Sequence, residues 1–532
     1  MAKNDQAKPA AKTKSAPRRP LLRRLLFWLV LMPVVVVYLI GLLISFTATR
    51  AAGRNVRTPA MRGEIVLKSD TTGVDAAGRQ VLHQENMDTL LKLIADAGDT
   101  LILDQFLVNE YRSRGFIVHR DITADFVAAL VAKKRLSPNT WILLITDPIN
   151  ASYGEECPPA LKPLVAAGVH VVMTDLDELP DINWLYSPFF RTLAPIGRRL
   201  PWAHSGIMTN PFAPDEAKLS WMDAACLLNF KANHRKVAVC RDASGQYQAL
   251  VTSANPHSAS SANGNLGVWL RNGPCHDIAA SELALARGIL LYRPELAFSR
   301  ANANEVLREV EARLEAPAKP TPLTVAAEAP VVRYCTETAI ATTLEEMLSR
   351  SGKGDVLQLM MFYLADPGIV RDLKAAAQRG AQIRILLDPN KDAFGREKHG
   401  VPNQAVAQEL RDWAAASGAD VQIRWFVTHG EQGHFKSLRI FNPGSGRSDL
   451  LLGSANFTVR NLRGSNLEAA IAVENAGAAG RSYADLFDRL WDNRDGVVYS
   501  AEFAKFEVQS GWKYHWKRAL TAFGNWTGCC TY

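Results

Sequence analysis

The sequence predicts an α/β protein of two duplicated halves, each built on a mixed sheet, packed around one shared site and preceded by a single transmembrane helix. Three observations predict it. The string His234-Arg235-Lys236 followed by Thr252-Ser253-Ala254-Asn255 returns as His434-Phe435-Lys436 followed by Gly453-Ser454-Ala455-Asn456. Apolar strand-like runs alternate with helix-like segments in the same order ahead of each string. Near the amino terminus lies an unbroken apolar run, Leu25 to Phe46.

That run is long enough to cross a bilayer as a helix and longer than a signal-peptide core, and Pro33 is tolerable inside a membrane helix. Eight basic residues precede it (Lys3, Lys8, Lys12, Lys14, Arg18, Arg19, Arg23 and Arg24) against Asp5 alone. The bias places the amino terminus in the cytoplasm and the body outside it, in the periplasm for a Gram-negative cell. An uncleaved anchor is expected; Ala48, Ala51 and Ala52 leave a cleaved signal as the alternative. The same residues explain the net charge of +8, of which the first 24 residues carry +7 and the remainder about +1. Strong nucleic-acid binders carry a basic domain or stripe, so global charge lends no support to a nuclease. Seven cysteines are too few and scattered for a disulfide framework in 532 residues, although an external body could form a bridge.

In the first half, Leu101 to Phe106 and Ile142 to Pro148 read as strands; Val356 to Phe362 and Ile383 to Pro389 are their counterparts. Phe126 to Lys134 and Pro159 to Ala167 read as helices, matched by Ile369 to Arg379 and Ala405 to Ala416. Asp147-Pro148 and Asp388-Pro389 read as strand-end turns, since a residue before proline is pushed to extended geometry. Each motif string reads as strand, loop, strand, with turns at Asp242 to Gly245 and Asn442 to Gly446. Domains are expected at 1–24 (basic tail), 25–46 (anchor), 80–300 (first half), 301–332 (helix end and linker), 333–495 (second half) and 496–532 (tail). Residues 279–315 look helical, and Ala316 to Pro322, rich in proline, cannot continue a helix.

The halves differ before the motif. The first carries an extra segment, 178–222, with Trp184, Leu185, Tyr186, Phe189, Phe190, Trp202 and Trp221 among Arg191, Arg198 and Arg199. This composition suits a membrane interface or an acyl-chain cleft, and equally a covering segment packed on the core. The tail cluster Trp512, Lys513, Tyr514, His515, Trp516, Lys517 and Arg518 offers the same two readings.

Alternate residues of a strand share a face, so in each half His and Lys share one face, Ser and Asn share one face, and the four can converge. The doubled H-x-K … S-x-N pattern in two β-α-β-rich halves resembles the phospholipase D superfamily over residues 80 to 495. The resemblance implies two phospholipase D-like α/β/α halves and attack on a phosphodiester with no cofactor and no metal. The family's Asp after the Lys is displaced to Asp242 in the first copy and replaced by Phe441 in the second, and Thr252 stands where Gly is usual.

The chemistry suits these residues. One neutral imidazole attacks phosphorus to form a phosphohistidine; the other, protonated, protonates the leaving alcohol and then deprotonates the incoming water or alcohol. Lys236, Lys436, Asn255 and Asn456, with Ser253 and Ser454, would donate to the non-bridging oxygens. Family order makes His234 the nucleophile and His434 the acid/base. Glu468, past the second motif, is expected to hold His434, because a carboxylate fixes the tautomer and stabilises imidazolium. The matching position in the first half is Gly267. The expected partner is a phospholipid in a membrane, with cardiolipin-synthase-like phosphatidyl transfer favoured. A metal-independent nuclease and a catalytically silent membrane scaffold are the alternatives.

Overall fold

Runs of Leu, Ile and Val six or so residues long, too uniformly apolar for a one-sided sheet, form strands covered on both faces. The computed structural model describes residues 19–47, 53–112, 116–154, 156–210, 218–316, 328–393, 396–508 and 511–529. Most of the basic tail and most of the proline-rich linker lie outside the described residues. The described residues open with helix α1 (Arg19–Thr47), whose segment Phe27–Thr47 is long and apolar enough to cross a membrane.

The first half contains β1 (Met61–Asp75), β2 (Gln80–Gln84), α2 (Asn86–Asp96), β3 (Ala97–Gln105), α3 (Ile122–Leu136), β4 (Trp141–Thr146), α4 (Lys162–Ala167) and β5 (His170–Met173). The extra segment adds α5 (Ser187–Gly197) and α6 (Trp221–Leu228), and the motif hairpin follows as β6 (Lys236–Asp242) and β7 (Tyr247–Thr252), then β8 (Asn265–Asn272). α7 (Cys275–Tyr292) and α8 (Ala303–Glu315) close the half. The helical stretch read over 279–315 is divided between these two helices at Pro294, which cannot donate into a helical ladder.

The second half runs β9 (Val331–Thr336), α9 (Thr338–Ser349), β10 (Val356–Met361), α10 (Pro367–Gln378), β11 (Gln382–Leu387), α11 (Asn403–Ser417), β12 (Val421–Phe426), β13 (Lys436–Phe441), β14 (Ser448–Gly453), the short α12 (Val459–Leu462), β15 (Ala469–Glu474) and α13 (Gly477–Asp492). α14 (Trp512–Thr527) ends it.

Pairing exposes the duplication. In the first sheet the order is β5-β4-β3-β6-β7-β8-β1, parallel among β3, β4 and β5 and antiparallel beyond. In the second it is β12-β11-β10-β13-β14-β15-β9 with the same directions. β1 fills the place that β9 fills, so the first sheet recruits a strand from before residue 80. The two sheets join where Met61 and Arg62 of β1 pair with Val332 and Val331 of β9. Helices cover both faces of each sheet, and Leu143, Ile145, Val237 and Val251 share one apolar cluster with Ile471 and Val473 of the other half. The described cysteines, Cys157, Cys226, Cys240, Cys275, Cys335 and Cys529, are all free thiols.

Candidate active site

Both motif strings lie at the carboxyl ends of the central strands, where the halves face each other. Two short pairings between halves set the geometry. Ala232-Asn233 runs parallel to Asn466-Leu467, and the His234 N–H donates to the Leu467 carbonyl at 2.8 Å. Symmetrically, Gly264 bridges Gly433, and the Gly264 N–H donates to the Gln432 carbonyl at 2.8 Å. Each histidine is therefore laid beside the strand start of the opposite half.

That crossing overturns the expected pairing of Glu468 with His434. His234 Nδ1 lies 3.0 Å from one Glu468 carboxylate oxygen and 3.1 Å from the other, because the backbone bond to Leu467 brings the next residue, Glu468, over the first-half ring. The carboxylate also accepts from Ser454 Oγ and Asn461 Nδ2. Burial raises its pKa to about 7 against the pull of Lys236.

His434 is held differently. Its Nδ1 donates to Asn265 Oδ1 at 3.1 Å, and Asn265 Nδ2 donates to Asp70 Oδ2 at 3.1 Å and to the Asn263 carbonyl at 3.0 Å. Two acceptors around Nδ2 fix which way the amide points. Asp70, buried on β1, is itself held by the Glu85 and Asn86 N–H groups at 2.8 and 3.0 Å. A glutamate could not stand at 267 as it does at 468: a Cβ there would come within 2.2 Å of Asn86 Oδ1 and 2.9 Å of Thr252 Cβ.

In both rings Nδ1 is committed to an acceptor, which leaves the Nε2 lone pair for chemistry. Lys236 Nζ donates to the His234 carbonyl at 2.6 Å and sits 4.7 Å over the Phe106 ring. Lys436 Nζ donates to the His434 carbonyl at 2.8 Å and sits 5.0 Å over the Phe362 ring. The same phenylalanines pack against the imidazoles, at 4.7 Å for Phe106 with His234 and 5.0 Å for Phe362 with His434. Asn255 and Asn456 are buried, and each leaves its side-chain oxygen without a hydrogen-bond partner.

The serines stand elsewhere than expected. Ser454 Oγ donates to Glu468 and accepts from the Ala469 N–H at 3.0 Å. Ser253 Oγ lies 3.2 Å from Asn265 Oδ1 and accepts from the Leu266 N–H at 3.1 Å. Both hydroxyls are occupied in holding the groups behind the imidazoles. Asp242 lies at the far end of β6, where it accepts turn N–H groups from Ser244 and Gln246. Asp147 and Asp388 do more than end strands: Asp147 Oδ2 accepts the Asn233 N–H at 2.6 Å and Asp388 Oδ2 accepts the Gly433 N–H at 2.7 Å. Each fixes the backbone one residue before its histidine. Sequence reasoning aligned these aspartates and the Phe106–Phe362 pair without assigning them to the site; Asp70 and Asn461 carried no motif that could have found them.

Electrostatically the centre is short of charge. Burial first, then the neighbouring lysines, holds the pKa of both His234 and His434 well below the usual imidazole value. Burial lowers Lys236 to about 7, against Glu468, Asp104 and Asp147, and lowers Lys436 well below its usual range, helped by Lys236. Four buried bases that repel one another's protons form a site that an anion would stabilise.

Residues 344–491 match the family described as cardiolipin synthase, PLD-like domain. No curated protein matches the chain by sequence. Among solved structures, phosphatidylserine synthase from Haemophilus influenzae is similar at 11% identity and a TM-score of 0.46, covering 87% of this chain and 95% of its own. Polyphosphate kinase from Porphyromonas gingivalis shows 11% identity and a TM-score of 0.40, with 86% of this chain and 56% of that one covered. Nuc, a phospholipase D family member from Salmonella typhimurium, shows 18% identity and a TM-score of 0.25 over 32% of this chain and 97% of its own. This chain therefore resembles the phospholipase D superfamily: its second half carries the matched PLD-like domain at 344–491, and its first half repeats the strand order and the motif.

Proposed function

We propose that the protein is a membrane-anchored enzyme that cleaves or transfers the phosphodiester of a phospholipid, with phosphatidyl transfer of the cardiolipin-synthase kind as the favoured form. The observation that carries the reading is the facing pair of imidazoles, each with Nδ1 held by an acceptor from the opposite half. His234, backed by the Glu468 carboxylate, attacks phosphorus through Nε2. The developing imidazolium is stabilised by that carboxylate, and the bond to the leaving oxygen breaks as His434 gives up a proton. The covalent phosphohistidine is then opened by water or an alcohol whose proton His434 takes back.

Lys236, Lys436, Asn255 and Asn456 surround the non-bridging oxygens in this scheme, and loss of one such donor costs about 2.7–4 kcal/mol of barrier. The low pKa values of the free site serve the first step, since a nucleophile must be neutral. The acid is charged when the anionic substrate arrives, because a negative phosphodiester raises the proton affinity of every base around it. The anchor reading follows from Phe27–Thr47, with the amino terminus cytoplasmic and the body on the other side of the membrane.

The test is incubation of the full chain with mixed phospholipids and glycerol, followed by mass spectrometry of the products. Exchange of headgroup for glycerol, or joining of two phosphatidyl groups, is expected, together with its loss in His234→Ala. No change in any phospholipid, with degradation of single-stranded DNA instead, would overturn the lipid assignment.

A further inference from the structure

The apolar insertion between β5 and β6 finds its place through α1. The helix is not tethered loosely to the body: it docks on α5 along the half of its length nearest the body. Thr192 Oγ1 donates to the Val37 carbonyl at 2.8 Å, and Tyr38 OH donates to the Trp184 carbonyl at 2.9 Å. The Tyr38 ring packs on Phe189 at 5.4 Å and Phe46 on Trp184 at 5.7 Å. At Gly41 the backbones touch so closely that a Cβ would fall 1.6 Å from the Pro188 carbonyl oxygen.

A helix of the length of Phe27–Thr47 rises about 31 Å at 1.5 Å per residue, the thickness of a bilayer core. Its contacts with α5 and with Trp184 just before it run from Val37 to Phe46, within the second half of that rise. An element packed there cannot lie in bulk water while α1 spans. Its free surface agrees: Leu193 is 49% exposed, Ile196 56%, Trp202 62% and Trp221 52%, around a small core of Phe190, Ala194, Ala203 and Met222. Apolar side chains clustered at such exposure need a partner, and tryptophan favours the membrane–water boundary.

The insertion leaves the carboxyl end of β5 and returns through Lys231 to His234, so it sits at the catalytic end of the sheet. Between it and the strand ends lies a cavity of about 770 Å³, lined by Tyr153, Met173, Phe190, Arg198, Met222 and Lys231 among others. Phe190 and Met222 thus belong both to the core of the insertion and to the cavity wall. α14 flanks the same end, with Asn525 Nδ2 donating to the Ala365 carbonyl at 2.8 Å, and exposes Trp512, Trp516 and Trp526.

We propose that α5, α6 and the exposed Trp202 between them are embedded in the bilayer leaflet that α1 crosses nearest the body. They hold the catalytic end against that leaflet, so that a phospholipid enters sideways from it. The proposal rests on reading α1 as a span, and the test separates the two. p-Benzoylphenylalanine is placed singly at Leu29 in α1, at Leu193 and Trp221 in the insertion, and at the exposed Leu136 remote from it, in the full chain reconstituted in vesicles of phosphatidylethanolamine and phosphatidylglycerol. After irradiation, lipid adducts detected by mass are expected at Leu29, Leu193 and Trp221, at least tenfold above Leu136. Adducts at Leu29 with Leu193 and Trp221 at the level of Leu136 would overturn the embedded insertion and leave the span standing. Absence at Leu29 as well would overturn both.

Discussion

At the scale of residues the two histidines are unequal. His234 has a carboxylate on Nδ1, and His434 has an amide that passes the interaction to Asp70. Glu468→Gln is expected to lower kcat by about 100-fold or more with little change in KM, as stopped-flow turnover would show. A phosphodiester with a nitrophenolate leaving group, which needs no acid, separates the roles. His434→Ala and Asn265→Ala should still release nitrophenol in a burst, whereas His234→Ala and Glu468→Gln should not; a burst from His234→Ala would reverse the assignment.

Lys236 supplies a pH prediction. With its pKa near 7, it carries charge below that pH and loses it above. Affinity for sulfate, which stays dianionic throughout, should fall by up to about tenfold per unit as pH rises above 7, measured by titration calorimetry. A flat affinity up to pH 9 would contradict the charge state assigned to the site.

At the scale of elements, the structure explains what the sequence could and could not carry. His234, Lys236, His434 and Lys436 were legible because strand periodicity repeats them in step. The partners of the imidazoles were not, since the pairing of Ala232-Asn233 with Asn466-Leu467 and of Gly264 with Gly433 crosses between halves, and a motif read within one half assigns Glu468 to the wrong ring. β1 was missed for a related reason: the strand completes the first sheet from outside the repeat that the motif marks, and its Asp70 lies far in sequence from Asn265.

The join between halves can be tested through Arg235, which is fully buried and bonds Glu282 of α7 at 3.0 Å and Glu337, just before α9, at 2.7 Å. Arg235→Ala would leave two buried carboxylates unpaired and should destabilise the fold by about 3–5 kcal/mol, read as a lowered midpoint of chemical unfolding. Arg235→Met combined with Glu282→Gln and Glu337→Gln should recover part of that loss. Gly267→Ala should also destabilise, by about 1–3 kcal/mol, because its Cβ meets Asn86 and Thr252.

At the scale of the molecule, one chain holds one centre assembled from both halves. A mixture of His234→Ala and His434→Ala chains should show no more activity than either alone, since each chain lacks a member of its own pair; recovery on mixing would place the pair between chains. The alternation of strands and helices made the duplicated α/β architecture readable, whereas the docking of α1 on α5 depends on contacts such as Gly41 with Pro188 that no local pattern announces. That docking ties α1 to the end of the first sheet that carries the motif residues and gives the insertion its place.

Quenching the protein during turnover of a short-chain phospholipid and mapping the covalent phosphoryl adduct by mass spectrometry tests the phosphohistidine itself. The adduct is expected on His234 and absent from His234→Asn; with a nitrophenyl phosphodiester, whose leaving group needs no acid, it should accumulate in His434→Asn. An adduct on His434, or turnover with no histidine adduct at all, would contradict this assignment.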